Sequence, residues 1–188
     1  MKIYKIILFI CCCILLYGCV NTENNINENK ESETMKSYGF GDLARAPRSE
    51  TLQSIEKITK LLFSIPYKMD AESGSKVIAI DIENKEVYYD VDTGKIHRID
   101  PTITLSDDDV TELLELVKKY NILDWKEDYS IQNGDDILDG TGWTLIIEYQ
   151  DRTIQTHGGY GVYLKDIIPE NYDETISEFE TFIESRMK

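Results

Sequence analysis

This chain is short of cysteine, histidine and basic residues, and each shortage removes a class of function. All four cysteines, Cys11, Cys12, Cys13 and Cys19, fall within the first nineteen residues. The body of the chain therefore has no thiol nucleophile, no cysteine metal site and no disulfide, and it must rest on a hydrophobic core. The two histidines, His97 and His157, lie sixty residues apart and show none of the short spacings of a zinc site such as HExxH. Lys and Arg number 20 against 35 Asp and Glu, a formal net charge of −15. Such a balance repels nucleic acid and anionic membrane surfaces, whose recognition needs basic side chains. The longest early apolar run, Ile6 to Leu16, is too short to span a bilayer comfortably. There is no Gly-x-Ser-x-Gly and no phosphate-loop Gly-Lys-Ser/Thr. Ser-x-x-Lys occurs at Ser54–Lys57 and Ser73–Lys76, without the Ser-Asp-Asn and Lys-Thr-Gly companions that acyl transfer requires.

What is present begins with an address. Lys2 and Lys5 form a positive n-region, the run IILFICCCILL an h-region, and Leu16-Tyr17-Gly18-Cys19 follows. These four residues resemble the lipobox of bacterial prolipoproteins. The resemblance implies a signal peptide over 1–18, removed by cleavage before Cys19, and a diacylglycerol on the Cys19 thiol. Tyr17 departs from the small residue usual in that family, which implies slower cleavage. Several acyl chains, at about 0.8 kcal/mol per buried CH₂, would make the attachment stable where one chain would not. The expected location is the outer, extracytoplasmic face of a cell membrane. Without Lys2 and Lys5 the chain keeps 18 basic against 35 acidic residues, a net charge of −17. An acidic surface keeps a domain soluble; it also suits a cationic partner or a divalent cation.

Residues 19–48 read as a tether rich in Asn, Glu, Ser and Lys, the composition of disorder. Residues 49–188 are then one domain, long enough to bury an independent core. Tether plus small domain, with much Ile, Lys and Asn, resembles the lipoproteins of low-GC Gram-positive bacteria, a likeness that transfers no functional residue.

Within the domain, Leu52, Ile55, Ile58 and Leu62 have helical spacing, whereas Leu61, Phe63, Ile65 and Tyr67 alternate. A strand ending near Ile65 is expected, with Pro66 confining it to a sheet edge. Val77–Ile82 and Glu86–Val91 read as a hairpin turning at Glu83-Asn84-Lys85. Asp92-Thr93-Gly94 is a second turn, leading to a short strand over 95–99. Ser106 with Asp109 predicts a capped helix start, and Val110, Leu113, Leu114, Val117 and Tyr120 form its apolar stripe until Asn121 ends it. Trp143, Leu145, Ile147 and Tyr149 alternate in a second hairpin that turns at Gln150-Asp151-Arg152 and returns over Thr153–His157. Asn171 with Glu174 resembles another capping box before a helix faced by Tyr172, Ile176, Phe179 and Ile183, with Phe182 beside them. This order predicts an α+β two-layer sandwich: a mainly antiparallel sheet with two helices on one face.

Three features are candidates for function. Asp135, Asp136 and Asp139 stand in an Asn- and Gly-containing loop whose oxygens could wrap Ca²⁺. An EF-hand register fails there, because Ile137 and Ile146 occupy ligand positions, and a solvated turn explains the same residues. His157 precedes Gly158-Gly159-Tyr160-Gly161, read as a flexible turn off a strand end, where a general base could stand; a packed histidine is the plainer alternative. Of the aromatics in the second half, Tyr120, Trp125, Tyr129, Trp143, Tyr160, Tyr163 and Tyr172, the two tryptophans are expected in the core. Tyr160 and Tyr163 are candidate binding anchors. The expectation is a non-enzymatic binding or interaction domain held at the membrane by its lipid, with a protein or cell-wall partner and no nucleic acid. A Ca²⁺-dependent module and a small immunity or inhibitor lipoprotein are the alternatives.

Overall fold

The computed structural model describes residues 37–66, 75–131 and 140–187. The strands are β1 (Ile58–Pro66), β2 (Ser75–Asp81), β3 (Glu86–Tyr89), β4 (Ile103–Thr104), β5 (Thr141–Tyr149) and β6 (Ile154–Gly161). The helices are α1 (Asp107–Lys119) and α2 (Tyr172–Glu184). All six strands join one sheet in the order β4-β3-β2-β1-β5-β6, every neighbour antiparallel. The α+β class expected from the periodicities is the class observed. Among the described residues no helix is long and apolar enough to cross a membrane.

The period of two divides each strand between two faces. Leu61, Phe63, Ile78, Ile80, Val87, Leu145, Ile147 and Tyr149 face the helices and pack with Leu113 and Val117 of α1 and Ile176, Phe179 and Ile183 of α2. Phe63 meets Phe179 with ring centroids 5.0 Å apart. The start of α1 is the capping box predicted: the Ser106 hydroxyl accepts from the Asp109 amide while Asp109 accepts from the Ser106 amide. Asn121, at φ 47°, breaks the helix by entering the left-handed region that Asn tolerates.

Four expectations are corrected. Pro66 does not hold β1 at an edge: β1 is central, and Pro66 ends it, where a missing N–H costs the ladder least. Residues 95–99 are no strand. The Asp92 carboxylate accepts from the Gly94 amide at 2.9 Å and winds the chain into a 3₁₀ helix, Thr93–Arg98, that drops Ile96 onto the sheet. The second capping box does not form. Asn171 donates instead to the Tyr120 carbonyl at 2.8 Å and Glu174 accepts from the Tyr120 hydroxyl at 3.1 Å, so both tie the two helices together. Finally, the folded part starts before residue 49. Phe40, Leu43 and Ala46 are buried on the face of the sheet away from the helices, against Leu62, Ala79, Tyr88, Ile146 and Ile154. This strap is fastened to β6 where Ser49 donates to the Ile154 carbonyl and Ile154 to that of Pro47, both at 2.8 Å. A polar average over 19–48 hides three apolar residues spaced three apart that each find a slot.

Candidate functional site

β6 and the segments bound to it place the candidate anchors. Gly158-Gly159-Tyr160-Gly161 is no flexible turn: it runs inside β6, paired with β5 from Thr144↔Gly158 to Thr141↔Gly161. The glycines admit a close crossing. A Cβ on Gly159 would lie 2.3 Å from the Ile167 carbonyl oxygen, and one on Gly161 2.7 Å from Ile167 Cγ2. The chain after β6 thus doubles back onto the strand, and Trp143 Nε1 donates to that same Ile167 carbonyl at 2.6 Å. On its other edge β6 is covered by 127–131. There Tyr129 donates to Gly158, Ile131 donates to Tyr160, and the Tyr160 amide donates to Ser130 Oγ at 3.0 Å. Asp128 accepts from the Ser130 amide at 2.7 Å, and these Ser130 bonds lower its carboxyl below the ordinary value.

The result is an apolar corner. Of the seven large hydrophobic residues exposed among the described residues, four are Ile131, Tyr160, Val162 and Tyr163, at 37, 46, 43 and 60 %. The other three, Leu52, Ile99 and Met187, are scattered along the chain. Tyr120 and Tyr172 are buried and Tyr129 is half-buried, so the expected tyrosines reduce to Tyr160 and Tyr163. Both tryptophans are core residues. Cys19, Asp135, Asp136 and Asp139 lie outside the described residues. Ile131 and Thr141, on either side of the undescribed residues 132–139, adjoin Tyr160 and Gly161 respectively. Among the described residues no three His, Cys, Asp or Glu side chains converge on a metal-sized site.

His157, the candidate general base, is a packed histidine rather than one on a flexible turn. It is 1 % exposed within β6, its Nδ1 lies 3.1 Å from the Lys126 carbonyl, and its ring stands edge-on to Trp125. Burial pushes the imidazole below its ordinary value of 6.5, and among the described residues Nε2 has no hydrogen-bond partner. His97 is exposed on the 3₁₀ helix and accepts from Arg98 Nε at 2.8 Å. Of the Ser-x-x-Lys lysines, Lys76 is paired with Glu180 at 2.8 Å and Lys57 donates to Gln53.

A polar row on the strap side escaped the sequence reading. Glu148, Lys60, Asp81 and Glu86 are direct neighbours across β5, β1, β2 and β3. Lys60 is 3 % exposed and Glu148 is fully buried, with Nζ 2.6 Å from Oε2. A register shift between Ile58 and Lys60 accompanies a Thr59 hydroxyl that also donates to Glu148, at 2.9 Å. Lys60 further donates to Ser37 Oγ at 2.8 Å, fastening the start of the strap. At the rim Arg152 grips Glu83 through two bonds of 2.9 and 3.0 Å. Between this row, the strap and the Thr93–Arg98 helix lies a cavity of about 570 Å³. In the sequence these four residues look like ordinary solvent-facing strand positions; only the strap makes them interior.

No protein family, curated protein or solved structure matches the chain.

Proposed function

We propose that the protein is a lipid-anchored, extracytoplasmic interaction domain, non-enzymatic, that docks a protein partner through the corner formed by Ile131, Tyr160, Val162 and Tyr163. The observation that carries the reading is the concentration of exposed large hydrophobics at that one corner. Ile131 is hydrogen-bonded to Tyr160 through the backbone and Val162 and Tyr163 follow just after in the chain, and exposed apolar side chains grouped in this way commonly mark an interface. Tyr contributes large rigid area with a polar tip at little entropic cost. The backbone beneath is rigid, held between β5, the 127–131 segment and the Ile167 crossing, so docking needs little ordering. The anchor reading rests on Leu16-Tyr17-Gly18-Cys19.

Two experiments test the halves separately. Labelled palmitate fed to the producing cell should appear on the protein and vanish in Cys19→Ser; label retained in that variant removes the anchor. The triple variant Tyr160→Ser, Val162→Ser, Tyr163→Ser should keep its melting temperature and lose co-purification of the wild-type partner from cross-linked membranes. An unchanged set of co-purified proteins contradicts docking at the corner.

A further inference from the structure

The strap-side cavity is walled by three aromatic rings, Tyr38, Phe40 and Tyr88, and floored by the Lys60, Asp81 and Glu86 end of the polar row. Its charges do not balance. Lys60 is matched by Glu148 at 2.6 Å, which leaves Asp81 and Glu86 as a second and third carboxylate on the same row. Asp81 is 6 % exposed, yet among the described residues the hydrogen bonds to its oxygens come from neutral donors, the amide and side-chain nitrogens of Asn84 at 2.9 Å. Glu86 receives the Tyr88 hydroxyl at 2.8 Å. Of the other cations, Arg45 pairs with Asp42, Lys95 with Asp92 and Arg98 with the ring of His97, while Arg152 grips Glu83 and reaches Glu148 at 3.6 Å, which still leaves the row with more carboxylates than cations. Like charges directly opposite in a ladder repel, and Asp81 faces Glu86 on one side while the Lys60 on its other side is already paired with Glu148. The field registers on Tyr88, whose hydroxyl is pushed up to about 12 by burial first, then by Glu86, with Asp81 and Asp100 adding.

We propose that this cavity is a binding site for an organic cation, an ammonium group carried on an apolar body. The carboxylates supply the counter-charge, and the rings supply the faces on which a cation and its carbon body rest. Phe40 and Tyr88 already meet edge-on, with centroids 6.2 Å apart, so part of the wall is preformed. The cavity has the size of an ordinary small-ligand pocket. A bare metal ion fits it less well, since no three carboxylate or imidazole groups converge among the described residues. Of the strap, Ser37 to Asp42 forms one wall, so a ligand here would also fasten the strap to the sheet. The site lies on residues separate from the apolar corner and stands or falls independently of it.

The test is a titration of the intact protein followed by backbone-amide resonances, with phenethylammonium, cadaverine and choline as probes and 2-phenylethanol as the uncharged control. The three cations should move the amides of Phe40, Gly41, Asp81, Glu86, Tyr88 and Ile96, and the alcohol should not. Glu86→Gln should weaken the cations by about tenfold, the scale of one charge-assisted hydrogen bond. Tyr88→Phe should weaken them less, and the corner triple variant should bind as the wild type does. Asp81→Asn adds a second arm if it folds; because Asp81 also holds the Asn84 turn, Glu86→Gln carries the decision alone if it does not. No shift with any cation at millimolar concentration overturns the proposal. So does equal binding of the alcohol, or an affinity indifferent to Glu86→Gln.

Discussion

The two faces of the sheet are built on opposite principles. The face toward α1 and α2 is apolar throughout and covered by two amphipathic helices whose stripes repeat every three to four residues. The other face is covered by a strap, residues 37–48, and a 3₁₀ helix, both too short to show a sustained apolar stripe, and it ends in a buried ion pair. Periodic cover is legible in a sequence because it repeats. Single-residue cover is not, because Phe40, Leu43 and Ala46 each fill one slot in a segment that otherwise reads as solvated chain.

The largest expected effects separate the two faces by mechanism. Phe179→Ala removes a fully buried ring facing Phe63 and should cost about 3–5 kcal/mol by urea unfolding. Glu148→Gln should cost a similar amount, about 3–5 kcal/mol, for a different reason: it strands the buried Lys60 ammonium. The double variant Lys60→Met, Glu148→Leu should recover most of that loss. Failure to recover would show that the pair contributes more than mutual neutralisation.

Leu43→Ala is the direct comparison of cover with cover. As part of the fold it should lower stability by about 2–3 kcal/mol, and as tether by nothing measurable. Ser106→Ala, which breaks the capping box of α1, should cost about 1 kcal/mol.

The smallest effect is a pH dependence. His157 has a folded value below its ordinary 6.5, so the unfolded chain takes up the proton first. Stability should be complete above that unfolded value and decline as pH falls through and below it, from about pH 7 towards pH 5. His157→Gln should flatten the decline of the melting temperature over that interval; an unchanged slope would contradict the assignment to His157.

Much of the fold was legible residue by residue. Ser106 and Asp109 specified the start of α1, Asn121 its end, and the alternation around Leu145 and Ile78 specified two hairpins. The failures have physical causes. Asp92 reads as a turn former, and whether the chain afterwards winds or extends is decided by where Ile96 finds a slot. Asn171 and Glu174 have capping chemistry, yet Tyr120 of the neighbouring segment offered partners that local spacing cannot reveal. Gly159 and Gly161 read as flexibility and are instead points of contact, because the crossing chain at Ile167 lies outside any local window. For the proposed site, Tyr160 and Tyr163 stood out as polar-tipped aromatics expected after a strand, whereas Tyr160 lies within β6. Ile131 and Val162, which complete the corner, were not, since single aliphatic residues carry no signal until their neighbours are known.

The central claim, that the apolar corner is where a partner docks, is most directly tested by placing a photo-crosslinking amino acid at Tyr163 and, as a control, at Leu52. Leu52 is the more exposed of the two, at 68 % against 60 %, and belongs to neither the 127–131 segment nor the 160–163 stretch. Irradiation of living cells should give one discrete adduct from position 163, lost when Tyr160 and Val162 are changed to Ser, and none from position 52. Adducts of equal yield from both positions, or from neither, would contradict the account.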